Sequence, residues 1–398
     1  QQVNLTNTQV QKLAKKFFNK NYTYDNFRKY LEKRSIGPMI QKPKHVFLII
    51  GESLDSWSLQ KQYDHFNLHT NLHRIINSNH SLFFRNFLPF ANGTMDAIDT
   101  IVAGVPDTDL HINYQPNSKT AYPTAMALQF KALGFKTQFF YGGYLSWQKV
   151  GDFIRSQGFE EVYGAAHIAS WEQTNEWGVD DRALFNFVLD KIKEADTPTF
   201  NIIMTVSNHP PFSINLQKEG FHMAVNSEKI AEKIKELGHI WYADKTMGEF
   251  VDKMLLIDKN TLFAITGDHF SRRHVEISPN QYDLSAVPFI IYSNNIKNNS
   301  KELTASGSHI DIAATLINLI APKNFIYYSF GDNLLAKRTL DCGLGKGKII
   351  TPKLVMCVDN VDNSTNNSVY LEKYDQLVCL TRHFIIRGTD LYDQAKKE

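Results

Sequence analysis

Short, unbroken apolar runs recur along the chain, each closed by small or polar residues and followed by a stretch with helical periodicity. The clearest are "HVFLII" (45–50), "KTQFFY" (136–141), "TFNIIMTV" (199–206), "TLFAIT" (261–266) and "VPFIIY" (287–292). A strand with one face in water alternates apolar with polar residues. These runs do not alternate, so they predict strands buried on both faces, as in a parallel sheet. "TAMALQFKALG" (124–134) is amphipathic and stops at Gly134, "DDRALFNFVLDKIKEA" (180–195) opens on an Asp cap, and "IDIAATLINLI" (310–320) is a third helix-like stretch. Strand alternating with helix predicts an α/β fold, an α/β/α sandwich around a mostly parallel central sheet.

The pattern weakens beyond about Gly331. "KIITPKLVMCV" (348–358) and "RHFIIRG" (382–388) predict short strands of a small antiparallel C-terminal subdomain, and "NVDNSTNNSV" (360–369) a polar loop. Charge marks the other end. Residues 1–44 carry ten Lys or Arg against Asp25 and Glu32, a local +8, which leaves −6 for the remainder of the 398-residue chain. A general nucleic-acid affinity is therefore not implied. Apolar positions within that segment (Leu13, Phe17, Phe18, Tyr30, Leu31) fit either a solvated helix or a stretch that follows a membrane anchor and lies on a membrane surface. Three regions result: a basic helical segment over 1–43, a main α/β domain over 44–335 and a packed subdomain over 336–398. No apolar stretch reaches the roughly 20 residues needed to span a bilayer. The three cysteines, Cys342, Cys357 and Cys379, lack zinc-site spacing, and both one disulfide and three free thiols remain open.

In open α/β sheets, ligands bind beyond the carboxyl ends of the strands. The residues just after the runs are Gly51-Glu52-Ser53, Gly142-Gly143, Ser207-Asn208-His209 and Gly267-Asp268-His269. Carboxylates and imidazoles at the mouths of buried strands are costly unless partnered. Glu52, Asp268 and His269 form a mixed oxygen and nitrogen set that suits one divalent cation, Zn²⁺ or Mn²⁺, better than Ca²⁺. "NGTMDAIDTIVAG" (92–104) adds a Thr at the start of a helix, with Ile98, Ile101 and Val102 on one face and Gly104 as the stop. A helix N-terminus favours negative charge, so Thr94 is either an N-cap or a hydroxyl placed to react with a phosphate.

With these residues, the chain resembles the alkaline phosphatase/sulfatase superfamily, and within it the extracellular catalytic domains of lipoteichoic acid synthase-like phosphoglycerol transferases. The resemblance spans roughly 44 to 335 and rests on "GES" (51–53), "GTMDA" (93–97), "SNHPPF" (207–212), "TGDHF" (266–270) and "SHIDIAATLINL" (308–319), in the family's order. It implies that Thr94 is the nucleophile and, with Glu52, Asp268 and His269, a metal ligand. It implies that His209 contacts the transferred phosphate or assists the leaving group, and that Trp147, Lys149 and Tyr141 form the substrate wall. Lys149 stands where those synthases have Arg, and Tyr141 where they have His, so the substrate is where this chain departs from them. The formylglycine sulfatases require a C/S-x-P-x-R motif that none of the three cysteines begins. Phosphoethanolamine transferases, the second choice, read D-H-G-E-S where this chain has "DHFSRR" (268–273). Phe270 and the "SRRH" beyond it therefore separate this chain from its relatives. A non-catalytic binding module of the same fold is the alternative from a different class. The resemblance further implies a phospholipid headgroup donor, phosphatidylglycerol, a glycan or glycolipid acceptor, a monomer at a membrane surface, and an extracytoplasmic place in the cell envelope below an N-terminal anchor.

Overall fold

Seven strands form the central sheet: β1 (His45–Gly51), β2 (Ser81–Phe84), β3 (Lys136–Tyr141), β4 (Glu161–Tyr163), β5 (Thr199–Met204), β6 (Leu262–Gly267) and β7 (Phe289–Tyr292), ordered β2-β7-β6-β1-β5-β3-β4. This computed structural model describes residues 5–168, 174–224, 227–275, 279–298, 303–360 and 367–392. Every side chain of β1, β5, β6 and β7 is buried, which explains why their sequences do not alternate.

β6, β1, β5, β3 and β4 run parallel. β7 pairs antiparallel with both β6 and β2, so the run at 287–292 does not extend the parallel array. The reason lies in the connection. Residues 268–288 contain no crossover helix among the described residues, and a strand can reverse direction through such a link, whereas a parallel partner needs a crossover. Burial on both faces left no trace of this in the sequence.

Helices cover both faces. Val46, Leu48 and Ile50 point to a core shared with α1 (Thr94–Ala103), α2 (Met126–Ala132) and α5 (Ile312–Ile320). Phe47 and Ile49 point to the opposite core, with α3 (Asp181–Lys193) and α4 (Glu228–Ile257). The expected Asp cap of α3 is present: the Asp180 side chain accepts the Ala183 N–H at 3.0 Å. α4, a 30-residue helix, has no counterpart in the expectations above.

The C-terminal region differs from expectation in part. Gly343–Gly345, Lys348–Ile350 and Val355–Cys357 make a three-stranded antiparallel sheet, as "KIITPKLVMCV" suggests. "RHFIIRG", however, is the end of helix α6 (Ser368–Arg387). Its buried positions Gln376, Leu377, Leu380, Thr381, Phe384 and Ile385 follow a 1-3-1-3-1 spacing, which is one helix face read through too short a window. Most of the expected polar loop, 361–366, lies outside the described residues. All three cysteines are free thiols.

The N-terminal segment folds back on the body. Residues Asn7–Phe17 form a helix with a Thr6–Gln9 capping box, and Glu32–Arg34 pair antiparallel with Ile326–Tyr328. Phe27 stacks on Phe384 of α6 with centroids 5.0 Å apart. Tyr30 and Leu31 are fully buried, and Leu13, Phe17 and Phe18 lean on the same core. The apolar positions considered for a membrane surface thus pack inward, because α6 offers them a dry partner. Among the described residues no helix is long and apolar enough to cross a membrane.

Candidate metal centre and phosphotransfer site

Register puts the two acids side by side. Gly51 and Gly267 are cross-strand partners at the ends of β1 and β6, so the residues after them, Glu52 and Asp268, emerge together. The glycine that ends β6 has a steric reason: a Cβ on Gly267 would lie 2.1 Å from the Leu54 carbonyl oxygen, while one on Gly51 would meet the Leu54 side chain at 3.0 Å. Ser53 then takes φ +53°, a left-handed conformation unfavourable for serine, and turns its backbone N–H to Asp268 Oδ1 at 2.8 Å. Its hydroxyl donates to Glu52 Oε1 at 2.7 Å.

Thr94 is the first residue of α1, and Gly93 occupies the cap position without any side-chain cap bond. Its hydroxyl is therefore not spent on capping. It reaches Asp268 Oδ2 at 2.9 Å and Glu52 Oε2 at 3.3 Å. His269 completes the cluster. Its Nδ1 lies 2.8 Å from the Phe270 carbonyl, which can only accept, so Nδ1 carries the proton and the Nε2 lone pair faces Asp268 Oδ2 at 3.4 Å. One donor atom from each of Glu52, Asp268 and His269 falls within 4.8 Å of the others, and all three residues are buried.

Among the described residues no Lys or Arg forms an ion pair with either acid. Burial, and after it the neighbouring Asp268 charge, pushes the Glu52 carboxyl well above the usual range. The Arg273 charge offsets the acids only in part: the guanidinium is itself disfavoured by burial, and it donates to the Asn208 carbonyl at 2.8 Å instead of to either acid. Two buried carboxylates, a hydroxyl and an imidazole lone pair around one point fit a divalent cation of the Zn²⁺ or Mn²⁺ type.

The surrounding shell holds these groups in place. Asn208 donates to the carbonyls of Glu52 and Ser53, both at 3.2 Å, and Thr205 Oγ1 accepts the Glu52 N–H at 2.9 Å. His309, from the "SHIDIAATLINL" stretch, donates from Nε2 to the Gly267 carbonyl at 2.9 Å and accepts the Phe90 N–H at Nδ1, which requires a neutral ring. Burial accordingly pushes it down to about 4. Asp55 accepts the Ser271 N–H at 2.9 Å and so fixes the loop that carries Arg272 and Arg273; burial pushes its carboxyl up to about 7.

A cavity of about 560 Å³ opens over Thr94, walled by His111, Trp147, His209 and Arg273 among others. His209 Nδ1 donates to the Pro210 carbonyl at 2.6 Å, which leaves Nε2 with its lone pair, and the ring packs on Trp177 at 4.5 Å. The expected substrate wall is only partly assembled. Trp147 lines the cavity; Tyr141 packs behind it at 6.4 Å, buried, with its phenol pushed up by burial and then by the charges of Glu52 and Asp268. Lys149 does not line it: its ammonium sits 5.5 Å over the Tyr114 ring. Gln148 instead reaches the cavity, on a turn where both Gln148 and Lys149 have positive φ. Arg273, His111, Ser53 and His309 had not been singled out individually. "GES", "SRRH" and "SHIDI" contain three of them, while His111 follows α1 in an unremarkable loop and carries no sequence signal.

The sulfatase family profile matches residues 44–321, well over half of the chain. The chain belongs to the sulfatase family. Within it, lipoteichoic acid synthase 2 of Bacillus subtilis is 20% identical over 333 residues, which is 78% of this chain and 50% of that relative. The chain therefore spans half the length of this relative. Among solved structures, a protein of the alkaline phosphatase superfamily from Vibrio parahaemolyticus superposes with a TM-score of 0.74 at 17% identity, covering 96% of both chains. The lipoteichoic acid synthase LtaP from Listeria monocytogenes gives a TM-score of 0.72 at 17% identity, covering 95% of this chain and 98% of its own. At such identity these two establish the fold: the sandwich with a mostly parallel sheet and a small antiparallel sheet is that of the alkaline phosphatase superfamily.

Proposed function

We propose that this sulfatase-family protein is a metal-dependent phosphotransferase of the bacterial envelope. It moves phosphoglycerol from a phosphatidylglycerol headgroup to a glycan or glycolipid acceptor through a phosphothreonine at Thr94. The observation that carries this reading is the Thr94 hydroxyl, uncapped at a helix N-terminus and within reach of both buried acids. A binding module needs no such hydroxyl beside three metal-ligand side chains. A relative named phosphoglycerol transferase I, from Xanthomonas euvesicatoria and 25% identical over 226 residues, supports the choice of phosphoglycerol.

Glu52, Asp268, His269 and the Thr94 oxygen would hold one Mn²⁺ or Zn²⁺, which lowers the pKa of the hydroxyl and offsets charge on the phosphoryl oxygens when bound. The protein's own groups do the rest. Because the Thr94 hydroxyl donates toward Asp268, its lone pairs are left for phosphorus. The Thr94 proton passes to Asp268 as the oxygen attacks in line and the bond from phosphorus to the diacylglycerol oxygen breaks; for this step His209 enters as the imidazolium, with a second proton at Nε2, and delivers that proton to the leaving oxygen. In the second displacement the Nε2 lone pair of His209 takes the proton of the acceptor hydroxyl, which attacks phosphorus, and the departing Thr94 oxygen takes its proton back from Asp268. The N-terminal amides of α1 and Arg273 face the phosphoryl charge. Trp147 packs against the glyceryl moiety, with Tyr141 behind it, and Lys149 lies further out toward the acceptor. The protein acts as a monomer on the extracytoplasmic side of a membrane, tethered by a region upstream of these residues.

The test is mass spectrometry of the Thr94 peptide after incubation with phosphatidylglycerol and Mn²⁺. A phosphoglycerol adduct is expected. A phosphoethanolamine adduct formed only from phosphatidylethanolamine would move the donor to the second choice. Headgroup release that persists in Thr94→Ala would overturn the covalent scheme.

A further inference from the structure

A second cavity, about 520 Å³, lies where the N-terminal segment meets the 330–340 stretch and α6, and shares no lining residue with the cavity over Thr94. One part of its wall is apolar, with Phe17, Phe18 and Phe330. The remainder is cationic to excess: four lysines from the two chain ends, Lys33 and Lys337 with Lys20 and Lys373, face the single carboxylate of Asp332, and Lys16 is matched by Glu372. Asp332 is already shared, 2.8 Å from Lys33 and 3.7 Å from Lys373. Among the described residues Lys20 donates to a backbone carbonyl, that of Glu32 at 2.7 Å, and neither Lys20 nor Lys337 forms an ion pair. Asn333 adds a buried amide nitrogen with no hydrogen-bond partner, while its carbonyl oxygen accepts the Leu335 N–H at 3.0 Å.

Unmatched ammonium groups and a spare amide donor call for an anion with several acceptor oxygens, and the aromatic wall calls for apolar matter attached to it. Burial, and then the charge of Lys33, disfavours the Lys20 ammonium, and the Glu32 carboxylate, which lies beside Lys29, offsets this only in part. We infer that this cavity is a second, non-catalytic site that takes the phosphate group of an amphiphilic phosphodiester. The phosphate lies among Lys20, Lys337 and Asn333, and the apolar portion lies on Phe17 and Phe18. The site does not depend on the reaction assigned to Thr94, and it gives the basic N-terminal charge a defined ligand in place of a diffuse surface.

Calorimetric titration tests this with the full chain carrying Thr94→Ala, in chelator, so that the catalytic centre is disabled. The probes are monomeric dihexanoyl phosphatidylglycerol, inorganic phosphate and dihexanoyl phosphatidylcholine. Saturable binding of the phosphatidylglycerol is expected, weakened about tenfold or more by Lys20→Glu with Lys337→Glu and retained by the paired Arg substitutions. Reversal of two exposed lysines that line neither cavity, Lys61→Glu with Lys259→Glu, should leave it unchanged. Hydrogen exchange on the otherwise unaltered chain should show protection over 330–340 on adding the lipid, a readout that needs no further variant. Equal binding of inorganic phosphate with the same lysine dependence would overturn the amphiphile. Binding indifferent to Lys20 and Lys337, or equally sensitive to Lys61 and Lys259, would overturn the site.

Discussion

Removing one of the two buried acids should stabilise the metal-free protein while destroying its metal response. Glu52 and Asp268 are 4% and 0% exposed, and their facing oxygens lie within 4.8 Å. At an effective dielectric constant of about 20, two full charges at that separation repel by roughly 3.5 kcal/mol. Protonation relieves part of this, because the Glu52 carboxyl is raised well above its usual range by burial and by Asp268. Glu52→Gln keeps the shape and still accepts from Ser53, so a net gain of about 1–3 kcal/mol is expected at pH 8 in chelator, several degrees at most in Tm. The sign follows from linkage. A carboxyl raised in the folded state binds its proton more tightly there than in the unfolded chain, so wild-type stability falls as pH rises from the ordinary carboxylate range through the folded value. The variant lacks that fall, and the two melting curves should converge toward pH 5. Added Mn²⁺ or Zn²⁺ should raise the wild-type Tm and leave the variant nearly unmoved. The assay is thermal unfolding by circular dichroism at pH 5 and pH 8, with chelator and with metal. A variant less stable than wild type at pH 8 in chelator, by a margin independent of pH, would refute the reasoning that the repulsion of the two acids is offset only in part.

Three further outcomes follow from the same geometry. Gly267→Ala forces a Cβ to within 2.1 Å of the Leu54 oxygen, so it should cost more than about 3 kcal/mol in urea unfolding, whereas Gly93→Ala, with open space around it, should be tolerated. His309→Ala leaves the Phe90 N–H without its acceptor and the Gly267 carbonyl with only the long 3.4 Å bond from Thr266, beside a buried void, an expected loss of about 3 kcal/mol with weakened metal affinity by titration. Burial alone would raise the Asp332 carboxyl, but Lys33 and Lys373 outweigh it and hold it below the usual range. Its contribution is therefore complete above the ordinary carboxylate pKa of about 4 and lost on further acidification, and Asp332→Asn should flatten that acid loss. Since Asp332 is 42% exposed, the cost at pH 7 should be only about 1 kcal/mol.

What could be read from the sequence depended on whether the signal was local. Continuous burial of β1 and β6 and the acids just beyond them were legible, because a strand buried on both faces excludes polar residues until it ends. The direction of β7 was not, since burial carries no polarity. The long helix α4 went unread because Gly238 and Gly248 interrupt its pattern where it packs against Leu216 and Asn71, and those contacts exist only in the fold. "RHFIIRG" read as a strand because seven residues are too few to separate the two periods, and α6 becomes evident only when Leu377 and Leu380 are seen on the same buried face.

For the site, the sequence by itself determined the chemistry available: an acid after each of two buried strands, a histidine beside one of them, a threonine at a helix start. Tertiary structure decided which of these meet. The pairing of Gly51 with Gly267 brings Glu52 to Asp268, and a cap at Gly93 leaves the Thr94 hydroxyl free to reach them both. It also turned Lys149 toward Tyr114 and brought Arg273 and His111 to the cavity wall. Residue type and burial are properties of a short stretch of chain, whereas strand register and the path of a loop depend on partners hundreds of residues away.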